Sequence, residues 1–424
     1  MAAAGSERLE LPAGERAASM VRALTYLVLV GVVAGFYWAY AEQFYKGLGY
    51  PRDTFLFDPG AHFSDLTSFY GLLKNDNPYY TASVYPPFAF IMMEPFALLG
   101  GRAAVVLWLA VVVCGLGAFV AWELDFMPRI ERAAAVVVLT VVTYPFLFAF
   151  DRGNVEVFVT LLLAAFVWGL QTGRSTLAAV AIGVAAALKL YPVIFAALFL
   201  VRRQWRALGV TVATAAILTF LGSVYYDFNL PYALSLLRED LPRYKEAYVI
   251  GSGGLAYGCS LFGALKLLVF GLGGRTPAVE QMLAIYNYVV LALGLSVLVA
   301  LWRLPLRFWE QVMLLTVALD VFPTVSGDYK LLHLVVPMVL FLRFGTDDPL
   351  RWWYLVGFAT LMVPKAYLYL HGGLYPDNLG VGMDPLVMIA MALAIVVSAS
   401  RRRRDGQLVP APGPTLEASA SLES

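Results

Sequence analysis

One carboxylate ahead of a run of aromatics, a lysine inside an apolar stretch, and several cations close to acids carry whatever chemistry this chain performs. The stretch Asp65-Leu-Thr-Ser-Phe-Tyr70 has aromatics at helical spacing after its acid, with Asp58 and His62 upstream and Tyr79, Tyr80 and Val84-Tyr85-Pro86-Pro87 downstream. A loop acid is ordinarily just solvated, but beside a bound hydroxyl it can serve as a general base. Asp151-Arg152-Gly153-Asn154 reads as a helix start, where Asp commonly caps, worth about 0.5–2 kcal/mol. Arg152 there also offers a planar fork suited to phosphate or carboxylate. Glu156 follows one turn into an apolar run, where a charge is costly unless paired or turned to a cavity.

Lys189 is the strongest single signal. It sits mid-run in Leu188-Lys189-Leu190-Tyr191-Pro192. Snorkelling to the interface is the bland alternative. The proline disfavours helix in the residue before it, and a broken helix at membrane depth is tolerated where it lines a cavity, so a functional lysine is favoured. Gly327-Asp328-Tyr329-Lys330, with His333 just after, opens another helix end. Interface anchoring accounts for Lys330 alone; Asp320, and Lys365 in Pro364-Lys365-Ala366-Tyr367, call for a further reason. Arg152, Lys189, Lys330 and Lys365 together with a loop carboxylate suit a phosphorylated, membrane-borne substrate.

The elements that must position these residues are membrane helices. Of the 424 residues 60% are hydrophobic and 14% charged, against about 45–50% and about 25% in soluble domains. Apolar runs of nearly 20 residues recur, each long enough to cross a hydrocarbon core of about 30 Å. Expected spans cover residues 23–40, 103–122, 133–150, 155–170, 205–224, 282–301, 308–322, 331–342, 352–369 and 385–399, and residues 175–201 form a broken pair that goes out and returns. That makes about 12 crossings in an all-α polytopic protein. Residues 85–99 are apolar but short, and read as an interfacial or re-entrant segment. The first apolar run is too long for a signal-peptide core and reads as a retained helix.

Basic residues set the expected orientation. Arg8, Arg16 and Arg22 precede the first span, Arg401–Arg404 follow the last, and short Arg-bearing connections recur between. The positive-inside rule then places both termini in the cytoplasm. The long loops 42–84, 225–281 and 371–384 fall outside, with the candidate chemistry beside them. Residues 1–22 read as a cytoplasmic segment, 23–400 as the transmembrane domain, and 401–424 as a disordered tail. Cys114 and Cys259 suggest neither a disulfide framework nor a metal site. Three histidines without HExxH-like spacing point away from zinc.

Several of these motifs, in this order, resemble glycosyltransferase family 87, a C-type group of multi-helix membrane glycosyltransferases. They are the loop Asp before a Tyr-rich stretch, Val84-Tyr85-Pro86-Pro87-Phe88, Arg152-Gly153-Asn154-Val155, Leu188–Pro192 followed by Arg202-Arg203-Gln204-Trp205-Arg206, and Gly327–Leu332. The resemblance runs from the first helix to the last. It implies a C-type fold with interfacial helices in the first external loop, and inverting transfer of a sugar, typically mannose, from a polyprenyl phosphate to a glycolipid or glycan of the cell envelope at the plasma membrane. By motif position it implies Asp65 as general base, with Asp58 its nearest competitor, and no metal or other cofactor. Asp58, His62, Tyr70, Tyr85, Arg152, Asn154, Lys189, Tyr191, Asp328, Lys330, His333 and Lys365 are the expected substrate-binding set. Arg152 stands where many relatives have Gly, which points to a branch with a different sugar or acceptor.

A transporter or flippase of a lipid-linked saccharide is the alternative from another class. It would share the cations and broken helices but would not need a lone loop aspartate, and would more often show paired repeats.

Overall fold

A computed structural model describes residues 13–46, 63, 65–66, 68, 85–99, 101–226, 230–255, 257–364 and 380–406. Among the described residues the regular structure is helical, with no strand. The elements are α1 (Ala13–Lys46), α2 (Pro87–Leu99), α3 (Gly101–Glu123), α4 (Arg129–Val137), α5 (Tyr144–Arg152), α6 (Glu156–Gln171), α7 (Ser175–Leu188), α8 (Ala197–Val201), α9 (Trp205–Tyr226), α10 (Leu230–Tyr244), α11 (Leu261–Gly271), α12 (Thr276–Arg303), α13 (Phe308–Val321), α14 (Val335–Phe344), α15 (Arg351–Met362) and α16 (Gly380–Arg404). Short 3₁₀ segments, Tyr191–Ala196 and Asp328–Leu334, precede α8 and α14.

Five of these helices are long and apolar enough to cross a membrane, or six if a bent pair is one span. The chain is thus a polytopic membrane protein, but the expected 12 crossings are not shown. Among the expected spans, 155–170 (α6) and both halves of 175–201 (α7 and Tyr191–Val201) fall below span length; α2 is short as expected of the 85–99 segment, and α11 is a short apolar helix inside the expected external loop 225–281. The expected span 133–150 is instead bent by 49° between Arg129–Val142 and Tyr144–Arg152. Pro145 explains the bend, since its ring lacks an N–H and crowds the carbonyl four residues back. Thr143 accordingly adopts an extended conformation. The expected break in 175–201 lies where the proline put it, with Lys189 extended between α7 and the 3₁₀ turn that opens at Tyr191.

Small residues bring the central helices together. The alanine-rich α7 packs along α6 and α9, and at Gly183 an added Cβ would lie 2.8 Å from the Thr211 carbonyl of α9. The Thr211 hydroxyl donates to the Ala179 carbonyl at 3.2 Å across the same seam. In lipid such close backbone approach and interhelical hydrogen bonds replace the hydrophobic drive.

Arginines at the ends of α14 and α16 and just before α13 bind the chain to itself. Arg343 donates to the carbonyls of Trp122 and Glu123 at 3.0 and 3.1 Å and pairs with Asp125 at 3.1 Å. Arg402 reaches Glu310 at 2.5 Å and Asp348 at 3.6 Å, and Arg307 pairs with Asp347 at 2.8 Å. Residues 401–404 were expected to open the tail, yet they belong to α16, and Arg402 is buried against Glu310.

Candidate functional site

The opposite ends of the helices converge on a layer of charges, beginning with a turn. The short helix α5 ends at Arg152, and Gly153 (φ 62°) reverses the chain in the left-handed region that glycine tolerates best. Asp151 therefore sits in the last turn of a helix, not at a helix start. Asn154 takes the expected capping role, its Oδ1 accepting from the Glu156 N–H at 3.0 Å. The turn also docks the segment around Asp65. Phe63 N–H donates to the Asp151 carbonyl at 2.5 Å, and Leu66 fills the space beside Gly153, where an added Cβ would lie 2.6 Å from Leu66 Cβ.

Asp65 is thereby presented to Asn154, whose Nδ2 donates to Asp65 Oδ2 at 2.5 Å. The Tyr85 hydroxyl bonds to Asn154 as well. Burial pushes the Asp65 carboxyl above the ordinary aspartate value, while the Asn154 amide, and then the charges of Arg152 and Lys189, pull it down. Asp65 keeps a partly accessible face.

Glu156 opens α6 and is fully buried. Its Oε1 receives Lys189 Nζ at 2.7 Å, and the Tyr191 hydroxyl donates to the same oxygen. The break at Lys189 places both donors opposite the start of α6. Lys189 points inward, its ammonium 5.3 Å from the Tyr85 ring centre and 5.6 Å from that of Tyr329. Behind Glu156 lie His333 and Asp320. His333 Nε2 is 3.5 Å from Glu156 Oε2, and His333 Nδ1 is 2.8 Å from Asp320 Oδ1. Lys330 is 4% exposed, with Nζ over the Tyr191 ring at 3.8 Å; interface anchoring does not describe it.

A second group flanks Asp65. The Arg152 guanidinium lies 5.5 Å over Phe148 and 5.4 Å over Tyr257, and Phe148 stacks on Tyr329 with centroids 6.2 Å apart. The Tyr144 hydroxyl donates to Asp328 Oδ2 at 2.9 Å, tying α5 to the 3₁₀ turn. Lys266 anchors the loop before Tyr257 through the carbonyls of Tyr248, Gly251 and Gly253 at 2.8–2.9 Å.

Burial sorts the expected site residues. Asp65, Tyr85, Arg152, Lys189 and Tyr191 are partly accessible, whereas Asn154, Asp328, Lys330 and His333 are buried behind them. Asp58, His62, Tyr70 and Lys365 lie outside the described residues. Glu156 and Asp320 were noted in the sequence as costly charges but not placed in the site; Tyr329 was not singled out. A charged residue within a turn of the end of an apolar helix was the signal for both acids. The arrangement offers an accessible carboxylate flanked by two cations, one of which is already held by a buried acid.

The model of a protein family, Glycosyltransferase family 87, matches residues 84–326, more than half of the chain. The matched region contains Tyr85, Arg152, Asn154, Glu156, Lys189, Tyr191 and Asp320, but not Asp65, Asp328, Lys330 or His333. No match to the chain was found among curated proteins or among solved structures.

Proposed function

The chain belongs to glycosyltransferase family 87, and from that premise we propose that it transfers a sugar, mannose first among candidates, from a polyprenyl phosphate to a hydroxyl of a cell-envelope glycolipid or glycan on the extracytoplasmic side of the membrane. The acceptor oxygen attacks the anomeric carbon as the bond to the donor phosphate breaks, with inversion. Asp65 takes the hydroxyl proton, and the departing lipid phosphate leaves with the bonding electrons. Lys189 and Arg152 are the cations exposed enough to meet that phosphate; Lys330, behind Tyr191, acts on it only through its field.

The observation that carries this assignment is Asp65 itself: a partly accessible carboxylate, held by Asn154 at 2.5 Å, in the field of Arg152 and Lys189. Single displacement needs a base for the acceptor and positive charge for the leaving group. A non-enzymatic channel or scaffold has no use for a positioned base.

Purified protein in detergent, given radiolabelled polyprenyl-phosphate mannose and a membrane lipid extract, should move label into a new glycolipid. Asp65→Asn should lower that transfer by about 10²–10⁴-fold, the usual share of general-base catalysis. Retained turnover in Asp65→Asn would shift the base to Asp58 or elsewhere. An inert wild type that nonetheless carries labelled lipid across vesicle membranes would favour the flippase.

A further inference from the structure

The bond between Lys189 and Glu156 poses a problem for any phosphate that needs this lysine. Glu156 is 0% exposed and Lys189 Nζ is its nearest cation, at 2.7 Å. Removing one partner from a buried ion pair costs about 3–5 kcal/mol, because the other charge is left uncompensated. Lys189 cannot turn to a phosphate unless something else takes up the charge of Glu156.

The structure holds a replacement in place. Glu156 Oε2 and His333 Nε2 face each other at 3.5 Å, both buried and neither with a hydrogen-bond partner among the described residues. Buried polar atoms are rarely left so. On its other side, His333 meets Asp320 Oδ1 at 2.8 Å, and Asp320 is also fully buried. With a carboxylate facing each ring nitrogen, the imidazolium is the form that satisfies both. Tyr191, whose hydroxyl also donates to Glu156, keeps the carboxylate in place as Lys189 moves.

We propose that Glu156 is a latch for Lys189 and that His333, backed by Asp320, is its substitute counter-ion: when the anionic phosphate of the donor arrives, Lys189 passes to it and Glu156 closes on His333. After transfer the lipid phosphate has become a monoester, and the return of Lys189 to Glu156 helps expel it. Glu156, His333 and Asp320 are positioning residues, since they act on the phosphate only through Lys189. The inference rests on the proposed transfer from a lipid phosphate, and adds how that phosphate is admitted and released.

The test is a double-mutant cycle on the full-length protein, read as KM for polyprenyl-phosphate sugar, KM for acceptor, and kcat. His333→Gln and Asp320→Asn should each raise donor KM about tenfold, in the range by which contacting residues couple, and leave acceptor KM unchanged. Glu156→Gln should lower donor KM, because the phosphate no longer competes with a carboxylate, and lower kcat, because product leaves slowly. In the Glu156→Gln background, His333→Gln should leave donor KM unchanged, since no charge remains to compensate. A full tenfold rise in that double variant, or unchanged donor KM in both single variants, overturns the latch. Thermal unfolding of each purified variant identifies folded ones; if Asp320→Asn does not fold, the Glu156–His333 cycle decides alone. A wild type that transfers nothing from the lipid phosphate sinks the transferase assignment instead, so the two failures are distinct.

Discussion

At the scale of single residues, the environment of Asp65 has a consequence for pH. Burial raises its carboxyl above the ordinary value of 3.8, and the Asn154 hydrogen bond is the largest influence opposing that rise. A base works only when ionised, so kcat/KM should fall as pH drops through a value above the ordinary aspartate range. Asn154→Ala removes a stabiliser of the ionised form and should move this acidic limb to higher pH, with activity largely recovered on the alkaline side. A pH profile of kcat/KM for both proteins checks this; an equal loss at every pH would mean that Asp65 does not govern the limb. By linkage, a carboxyl raised by the fold opposes folding once it ionises, so Asp65→Asn should not destabilise the protein and serves as a clean control. Much of this layer was legible in the sequence. Asp65, Tyr85, Arg152, Asn154, Lys189 and Tyr191 were singled out from motifs and from the cost of charge in lipid, and they do gather at one place. What was not legible is partnership. Glu156 declares its cost as a charge in an apolar run, but that its partners come from residues 33 and 35 positions later follows only from the packing of α6 on the break.

At the scale of elements, prolines were the legible feature and turn geometry was not. Pro192 marked the break that aims Lys189 inward. Pro145 carried an equally clear signal, but the apolar run 133–150 was long enough to hide it, and the chain bends there by 49°. The turn after α5 was misread, because Asp followed by Gly and Asn fits both a helix start and a helix end; only the positive φ of Gly153 decides. That glycine is the hinge between scaffold and base. Gly153→Ala places a methyl within 2.6 Å of Leu66 Cβ, next in sequence to Asp65, and strains a left-handed residue by about 1–2 kcal/mol. The displacement should lower kcat by at least about tenfold, since an error near 1 Å in a reacting group can cost about 10²-fold. Donor KM should change far less than kcat, because Lys189 stands on a different element and only Arg152, next to the glycine, is carried with the turn. Kinetics alongside thermal unfolding separate the effects: a lower melting temperature with unchanged kcat would reduce the turn to a structural role.

For the whole molecule, the two ends of the helices differ in how they handle charge, and this bears on orientation. One end carries arginines clamped to carboxylates near the surface, as in Arg343 with Asp125 and Arg307 with Asp347. The other holds the Asp65, Glu156 and Lys189 layer. Helix α12 gives that layer a depth. The Tyr286 hydroxyl donates to the Phe322 carbonyl at 2.8 Å, so Tyr286 is level with the end of α13, where Asp320 sits. From Tyr286 to Arg303, at 1.5 Å per residue, is about 26 Å, close to the thickness of a hydrocarbon core. From Thr276 to Tyr286 is about 15 Å more, which carries the start of α12 beyond the charged layer. With the hydrocarbon core taken along residues 286–303 of α12, the layer falls at its edge, which is where the proposed transfer between a lipid-borne phosphate and an acceptor requires it. If the positive-inside rule applies, that boundary is the extracytoplasmic one. Arg275, exposed at the start of α12, and Arg129, exposed at the start of α4, then lie on opposite sides. With Cys114 and Cys259 replaced, Arg275→Cys should react with a membrane-impermeant maleimide in intact cells, and Arg129→Cys only after permeabilisation. The reverse pattern would turn the protein over, place Asp65 on the cytoplasmic side, and require a donor and an acceptor presented there.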